Sequence, residues 1–146
     1  GQLLRLPYGQ VLDPEQDQAD VWTTAPIRTD GRWLLGAREL YLGATLEDIT
    51  VPAGMVAFLH GISSLGRLGL LIHVTAGLVY AGWEDAPLTL EIVSLGGPIL
   101  LRPGQRIAQL TYHMLTTPAE QPYAGRYRND TGVQPSRAYL DREARP

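Results

Sequence analysis

The chain has neither cysteine nor lysine. Without cysteine it has no disulfide framework, no thiolate metal site and no thiol nucleophile. Cytoplasmic residence is then the default expectation. Without lysine, all twelve cations are arginine, so every cationic contact is a planar, permanently charged fork. No apolar run approaches the roughly 18 residues of a membrane helix, and no signal peptide is visible. A net charge of -3 gives no general attraction to nucleic acid or to an anionic membrane. Helical periodicity is almost absent.

What is present reads as a soluble β protein. The 146 residues suit one domain, 1–146, and 45% are hydrophobic against 18% charged. Sixteen glycines and eleven prolines punctuate short apolar runs, as in turn-rich β folds. Trp33–Leu35, Glu39–Leu42, Met55–Leu59, Leu70–Val74, Ile99–Leu101 and Arg106–Met114 read as strands. Leu88–Ser94 alternates, which puts Leu88, Leu90 and Ile92 on one face and Thr89, Glu91 and Val93 on the other. Arg102-Pro-Gly-Gln105 predicts a type II turn. Ser63–Leu68 could form one short helix with a serine as N-cap. A β-sandwich or barrel follows. Residues 1–24 are poorly patterned; the four acids between Asp13 and Asp20 read as a solvated loop, because the spacing lacks the Gly and Glu of a calcium loop. The segment 118–146 carries tyrosines and five arginines with little apolar patterning, and reads as a C-terminal arm.

Chemistry concentrates in Gly61–Ala76, where Ser63, Ser64 and Arg67 lead into a strand-like run. A serine hydrolase elbow fails there, since Gly61-Ile-Ser-Ser-Leu65 lacks the closing glycine. His60, His73 and His113 are not at metal-ligand spacing, and no His-x-Glu is present, so no zinc-bound hydroxide is expected. His73, between Ile72 and Val74, reads more as a satisfied sheet histidine than as a catalyst. No phosphate-binding glycine loop occurs. Glu91 is the other feature of interest, a charge alone in an apolar strand. It is either a solvent-face carboxylate or a partly desolvated one, able to take a proton near neutrality, with Ser63, Ser64 and Arg67 as its neighbours.

Taken together, these residues resemble a known family. Gly61-Ile-Ser-Ser-Leu-Gly-Arg-Leu-Gly-Leu70, His73-Val-Thr-Ala76, Gly82-Trp83, Leu88-Thr-Leu-Glu91, Pro98 through Leu110, and Pro118 through Arg137 are similar in order and content to the dCTP deaminase family of the dUTPase-like superfamily. The resemblance runs from about Trp33 to Arg137, with the family's usual N-terminal region shortened or diverged. It implies a distorted β-barrel or jelly roll, assembled as a homotrimer with sites at subunit interfaces. It also implies metal-free hydrolytic deamination of dCTP at C4 to dUTP and ammonia. In that reading Glu91 is the proton shuttle, and Ser63 and Arg67 hold the water and the pyrimidine. Ser64, the carbonyl of Ala76, and Tyr80, Tyr123, Arg126 and Asp130 are substrate-binding positions. The arm closes over the nucleotide, and Mg²⁺ accompanies the triphosphate.

The resemblance has departures. Ile62 stands where the family has a phosphate-contacting arginine, Tyr80 where it has an aspartate, Asp130 where it has a glutamine and Arg126 where it has a lysine. They spare the deamination residues and alter sugar and phosphate contacts. The Tyr80 change removes the carboxylate that hydrolysis of dUTP at its α-phosphate requires. Two alternative readings follow: a divergent paralogue that binds another nucleotide, and a non-catalytic trimer with a regulatory or interaction role.

Overall fold

In the computed structural model, residues 1–142 are described. The strands are β1 (Leu4–Arg5), β2 (Thr23–Thr24), β3 (Trp33–Leu35), β4 (Leu40–Ala44) and β5 (Met55–Gly61), followed by the helix α1 (Ser63–Gly66). Then come β6 (Leu70–Leu71), β7 (Leu78–Val79), β8 (Thr89–Ser94), β9 (Ile99–Leu101) and β10 (Ala108–Met114). A 3₁₀ turn spans Ala138–Arg142. Residues 143–146, the end of the expected arm, lie outside the described residues.

Among the described residues the strands form three antiparallel sheets, ordered β2-β1-β4-β8-β6, β10-β5-β7 and β3-β9. The alternation predicted for β8 is observed: Leu90, Ile92 and Ser94 are buried, and Thr89, Glu91 and Val93 lie half-exposed. Leu90 and Ile92 join Leu35, Tyr41, Leu59 and Leu101 in the main core; each such side chain contributes about 1.5–3 kcal/mol by leaving water. A second cluster holds Val51, Ala57, Val79 and Leu88. The turn at 102–105 also forms as read: the Gln105 N–H donates to the Arg102 carbonyl at 3.1 Å, and Gly104 has the positive φ of 75° that a type II turn requires.

The structure departs from the sequence reading in three places. The poorly patterned start is built into the largest sheet, where β1 pairs with both β2 and β4. Arg5 on β1 donates to both carboxylate oxygens of Glu39 at 3.0 and 2.6 Å, and the buried Tyr41 hydroxyl donates to the same carboxylate. The short helix begins at Ser63 with Ile62, not a serine, at the N-cap position. Ile62 is extended, and its carbonyl receives the Leu65 and Gly66 N–H groups. Leu70–Val74 is a strand only at Leu70–Leu71. The strand is entered through Gly69, whose φ is +83° and whose missing Cβ would sit 2.5 Å from the Gly96 nitrogen. Two backbones touch there, and the Leu95 N–H donates to the Gly69 carbonyl at 2.8 Å. The chain leaves the sheet after Leu71 and loops past β8 through Ala76.

Candidate active site

Glu91 lies on β8 between the buried Leu90 and Ile92, in register with Leu42 of β4. It is half-buried. Its Oε2 accepts a hydrogen bond from the Val74 N–H at 2.8 Å, so the 72–76 loop is tied to the carboxylate. Among the described residues Oε1 has no hydrogen bond and no cation pairs with Glu91. One oxygen is therefore positioned and the other left for a ligand. His73, expected as a satisfied sheet histidine, is neither in a strand nor satisfied: its Nδ1 is buried without a partner.

Ser63, Ser64 and Arg67 stand together on and just after α1, all exposed. Among the described residues none of the three side chains makes a hydrogen bond or ion pair, with Glu91 or with any other group. A single chain therefore presents two separate halves, a hydroxyl–guanidinium cluster on α1 and a carboxylate on β8. Ala76 is exposed on the loop between β6 and β7, and Ile62 is half-buried at the start of α1.

The arm folds back on its own chain. The Tyr123 N–H donates to the Ala81 carbonyl at 2.8 Å. Its ring stacks on Tyr80 at 6.1 Å and 8° and meets Trp83 at 5.3 Å. Burial pushes the Tyr123 hydroxyl pKa up, with smaller opposing contributions from its neighbours. Tyr80 is thus an arm contact as well as a candidate substrate residue. Arg126 donates to the Arg137 carbonyl at 2.6 Å and to the Asp141 carboxylate, and the Asp141 bond holds its guanidinium above the ordinary value. Arg137 pairs with Asp130 at 3.0 Å and Gln134 at 2.8 Å, donates to the Arg126 carbonyl, and lies over the Tyr127 ring. Asp130 consequently faces Arg137, and its Oδ2 is buried without a partner. The sequence reading placed Arg137 at the end of the family-like stretch without giving it a site role.

Among the described residues a cavity of about 570 Å³ lies beside Asn129, Asp130 and Thr131, and a smaller, mostly apolar one lies elsewhere. About 290 Å³ opens between Leu3, Trp33, Leu46, Leu101 and Ile107, away from Ser63, Arg67 and Glu91. Its walls are mostly apolar, with Thr45, Glu47, Arg102 and Arg106 among them, and none of the site residues read from the sequence lines it.

Comparison with known proteins fits this arrangement. The model of the dCTP deaminase-like family matches residues 3–115, and the chain belongs to that family. A dCTP deaminase, dUMP-forming, of Corynebacterium jeikeium is 41% identical over 136 residues, 89% of this chain and 72% of that protein. A dCTP deaminase of Haloarcula marismortui is 39% identical over 134 residues, 88% of this chain and 68% of that one. In solved structures, the 2'-deoxycytidine 5'-triphosphate deaminase of Agrobacterium tumefaciens superposes with a TM-score of 0.67 at 21% identity, over 81% of this chain and 37% of that chain. A native EIAV dUTPase superposes at 0.52 and 24%, over 65% of this chain and 78% of that one. At those identities the superpositions establish the fold, the distorted jelly roll of the dUTPase-like type.

Proposed function

We propose that this chain deaminates dCTP at C4, consuming water and releasing ammonia and dUTP. The observation that carries the proposal is Glu91: a half-buried carboxylate with one oxygen fixed by the Val74 N–H and, among the described residues, no neutralising cation. Such a group takes a proton from water as the hydroxide adds to C4. It gives that proton to the ring nitrogen, where it stays, and then carries the proton of the new C4 hydroxyl to the departing amine. The oxygen stays on carbon as the new carbonyl, so atoms balance without a redox partner. One positioned acid–base group contributes typically ~10²–10⁴-fold.

In this reading Ser63 and Arg67 hold the water and the pyrimidine, and Ser64 and the Ala76 carbonyl complete that end. Because the α1 cluster is exposed and does not touch Glu91 in its own chain, a homotrimer with α1 of one copy beside β8 of the next assembles the site. Tyr80 and Tyr123 supply an aromatic wall, and Arg126, with Asp130 held by Arg137, lines the phosphate side of the arm over 118–146. Mg²⁺ enters on the phosphates. Among the described residues no three carboxylate or imidazole side chains converge, and Mg²⁺ characteristically keeps water and substrate phosphates as ligands.

The product is set by Tyr80. The C. jeikeium relative is named for forming dUMP, which needs a second hydrolysis at phosphorus. With tyrosine at position 80, this chain lacks the carboxylate assigned to that step, and dUTP is the expected product. Incubation with dCTP and Mg²⁺, followed by ammonia assay and separation of nucleotides, tests both points. Ammonia and dUTP should appear, and Glu91→Gln should abolish both. If neither dCTP nor any other cytosine nucleotide yields ammonia, the enzyme reading is lost, and a dUMP product would overturn the role given to Tyr80.

A further inference from the structure

The register of β5 and β10 brings together two histidines that their linear spacing keeps apart. His60 lies opposite Gln109, Phe58 opposite Thr111 and Val56 opposite His113. These six residues form the outward face of the strand pair. Both imidazoles lean toward its centre: the Nε2 atoms of His60 and His113 lie 3.2 and 3.1 Å from the Thr111 Oγ1. Phe58 fixes their ring planes, stacked against His60 at 6.3 Å and edge-on to His113 at 5.2 Å. All four side chains are exposed.

Thr111 Oγ1 is the shared partner of both Nε2 atoms. Among the described residues the other positions of this face are Val56 and Gln109 and, on the flanking β7, Leu78 opposite Phe58, none of them charged. Neutral imidazoles with convergent lone pairs are ligands for zinc, copper, nickel and cobalt. A site without carboxylates disfavours the hard ions Mg²⁺ and Ca²⁺.

We propose that His60 and His113 form a binding site for a divalent transition-metal ion, with Thr111 oriented to hydrogen-bond a metal-bound water. The two nitrogens close on one ion by small side-chain rotations over Thr111. Protons compete with the metal for the same lone pairs, so affinity falls with pH. The site involves none of Glu91, Ser63 or Arg67 and stands independently of the proposed deaminase reaction.

Calorimetric titration of chelator-treated full-length chain with Zn²⁺ or Ni²⁺ tests it. Binding of up to one ion per chain is expected. His60→Gln and His113→Gln keep a hydrogen-bonding group beside Thr111 but should each weaken binding at least roughly tenfold, with unchanged circular dichroism. Cu²⁺ bound to the unaltered chain should show imidazole nitrogen coupling in its electron paramagnetic resonance spectrum, a readout that needs no variant. Absence of Zn²⁺ and Ni²⁺ binding, a double His→Gln variant that binds as well as the parent, or a copper spectrum without nitrogen coupling would each overturn the proposal.

Discussion

Gly82 fastens the arm to the body of the chain, and Gly82→Ala should release it. The residue has a φ of +87°, and an added Cβ would lie 2.5 Å from Pro122 Cβ, 2.7 Å from the Tyr123 nitrogen and 2.9 Å from Pro122 Cα. All three atoms are backbone or locked in the proline ring, so no side-chain rotation relieves the clash. The left-handed backbone adds about 1–2 kcal/mol of strain for alanine. To escape, the arm must surrender the Tyr123 N–H bond to the Ala81 carbonyl, worth a net ~0.5–1.5 kcal/mol. It must also surrender the Tyr80 and Trp83 ring contacts, each about 0.5–1.5 kcal/mol. The loss raises the open-arm population roughly 10- to 10³-fold. Limited trypsin digestion reads that population at Arg126 and Arg128 when opening and closing outpace cleavage. Cleavage there should accelerate within that range, whereas Gly132→Ala, whose Cβ meets nothing within 4 Å, should leave it unchanged. Equal acceleration at Arg32, in the body of the chain, would show that the whole fold had loosened and would refute the local argument. An unchanged rate at Arg126 would refute it outright.

Two further outcomes follow from the charged networks. The Arg5 guanidinium, bonded to both carboxylate oxygens, together with the Tyr41 hydroxyl holds Glu39 below its ordinary value of 4.5. Its stabilisation is therefore fully present above that value and lost as pH falls through the lower folded one. Glu39→Gln should cost about 1.5–3 kcal/mol in urea denaturation at neutral pH, and the gap from the parent should close at a pH well below 4.5. Arg137→Ala leaves the mostly buried Asp130 carboxylate without its cation. A partly exposed pair should lose about 1–3 kcal/mol, less than the 3–5 of a fully buried one. The loss should appear as faster amide exchange confined to 125–137, with Asp130→Asn in the same chain restoring protection.

The strands and the turn at Arg102–Gln105 were legible because their signals are local: alternation along β8, and proline before glycine in the turn. Glu91 was legible for the same reason, as one charge in an apolar run. What the sequence could not show depends on register. β1 is only two residues long and contains an arginine, so no periodicity marks it. Its partner Glu39 lies 34 residues away and becomes visible only once β1 pairs with β4. The His60–Thr111–His113 cluster is of the same kind: spacing along the chain keeps the two histidines apart, whereas cross-strand pairing brings both to one hydroxyl. Ile62 at the N-cap was misread because a serine next to a helix start is a common cap; here the two serines lie inside the first turn, and their hydroxyls stay free.

The two buried-edge glutamates show why the site reading rests on surroundings and not on residue type. Glu39 receives two guanidinium donors from Arg5 and the Tyr41 hydroxyl. Three donors fix it as an anion, and a carboxylate so bound has no oxygen to offer and no tendency to take a proton. It ties β1 and the turn before β4 together and is useless as a base. Glu91 occupies the middle of the adjoining strand and receives one main-chain N–H. Arg67, the nearest sequence candidate for a counter-charge, makes no contact with it in the same chain. Within one chain, then, Glu39 has both carboxylate oxygens engaged, whereas among the described residues Glu91 has a donor on one oxygen only.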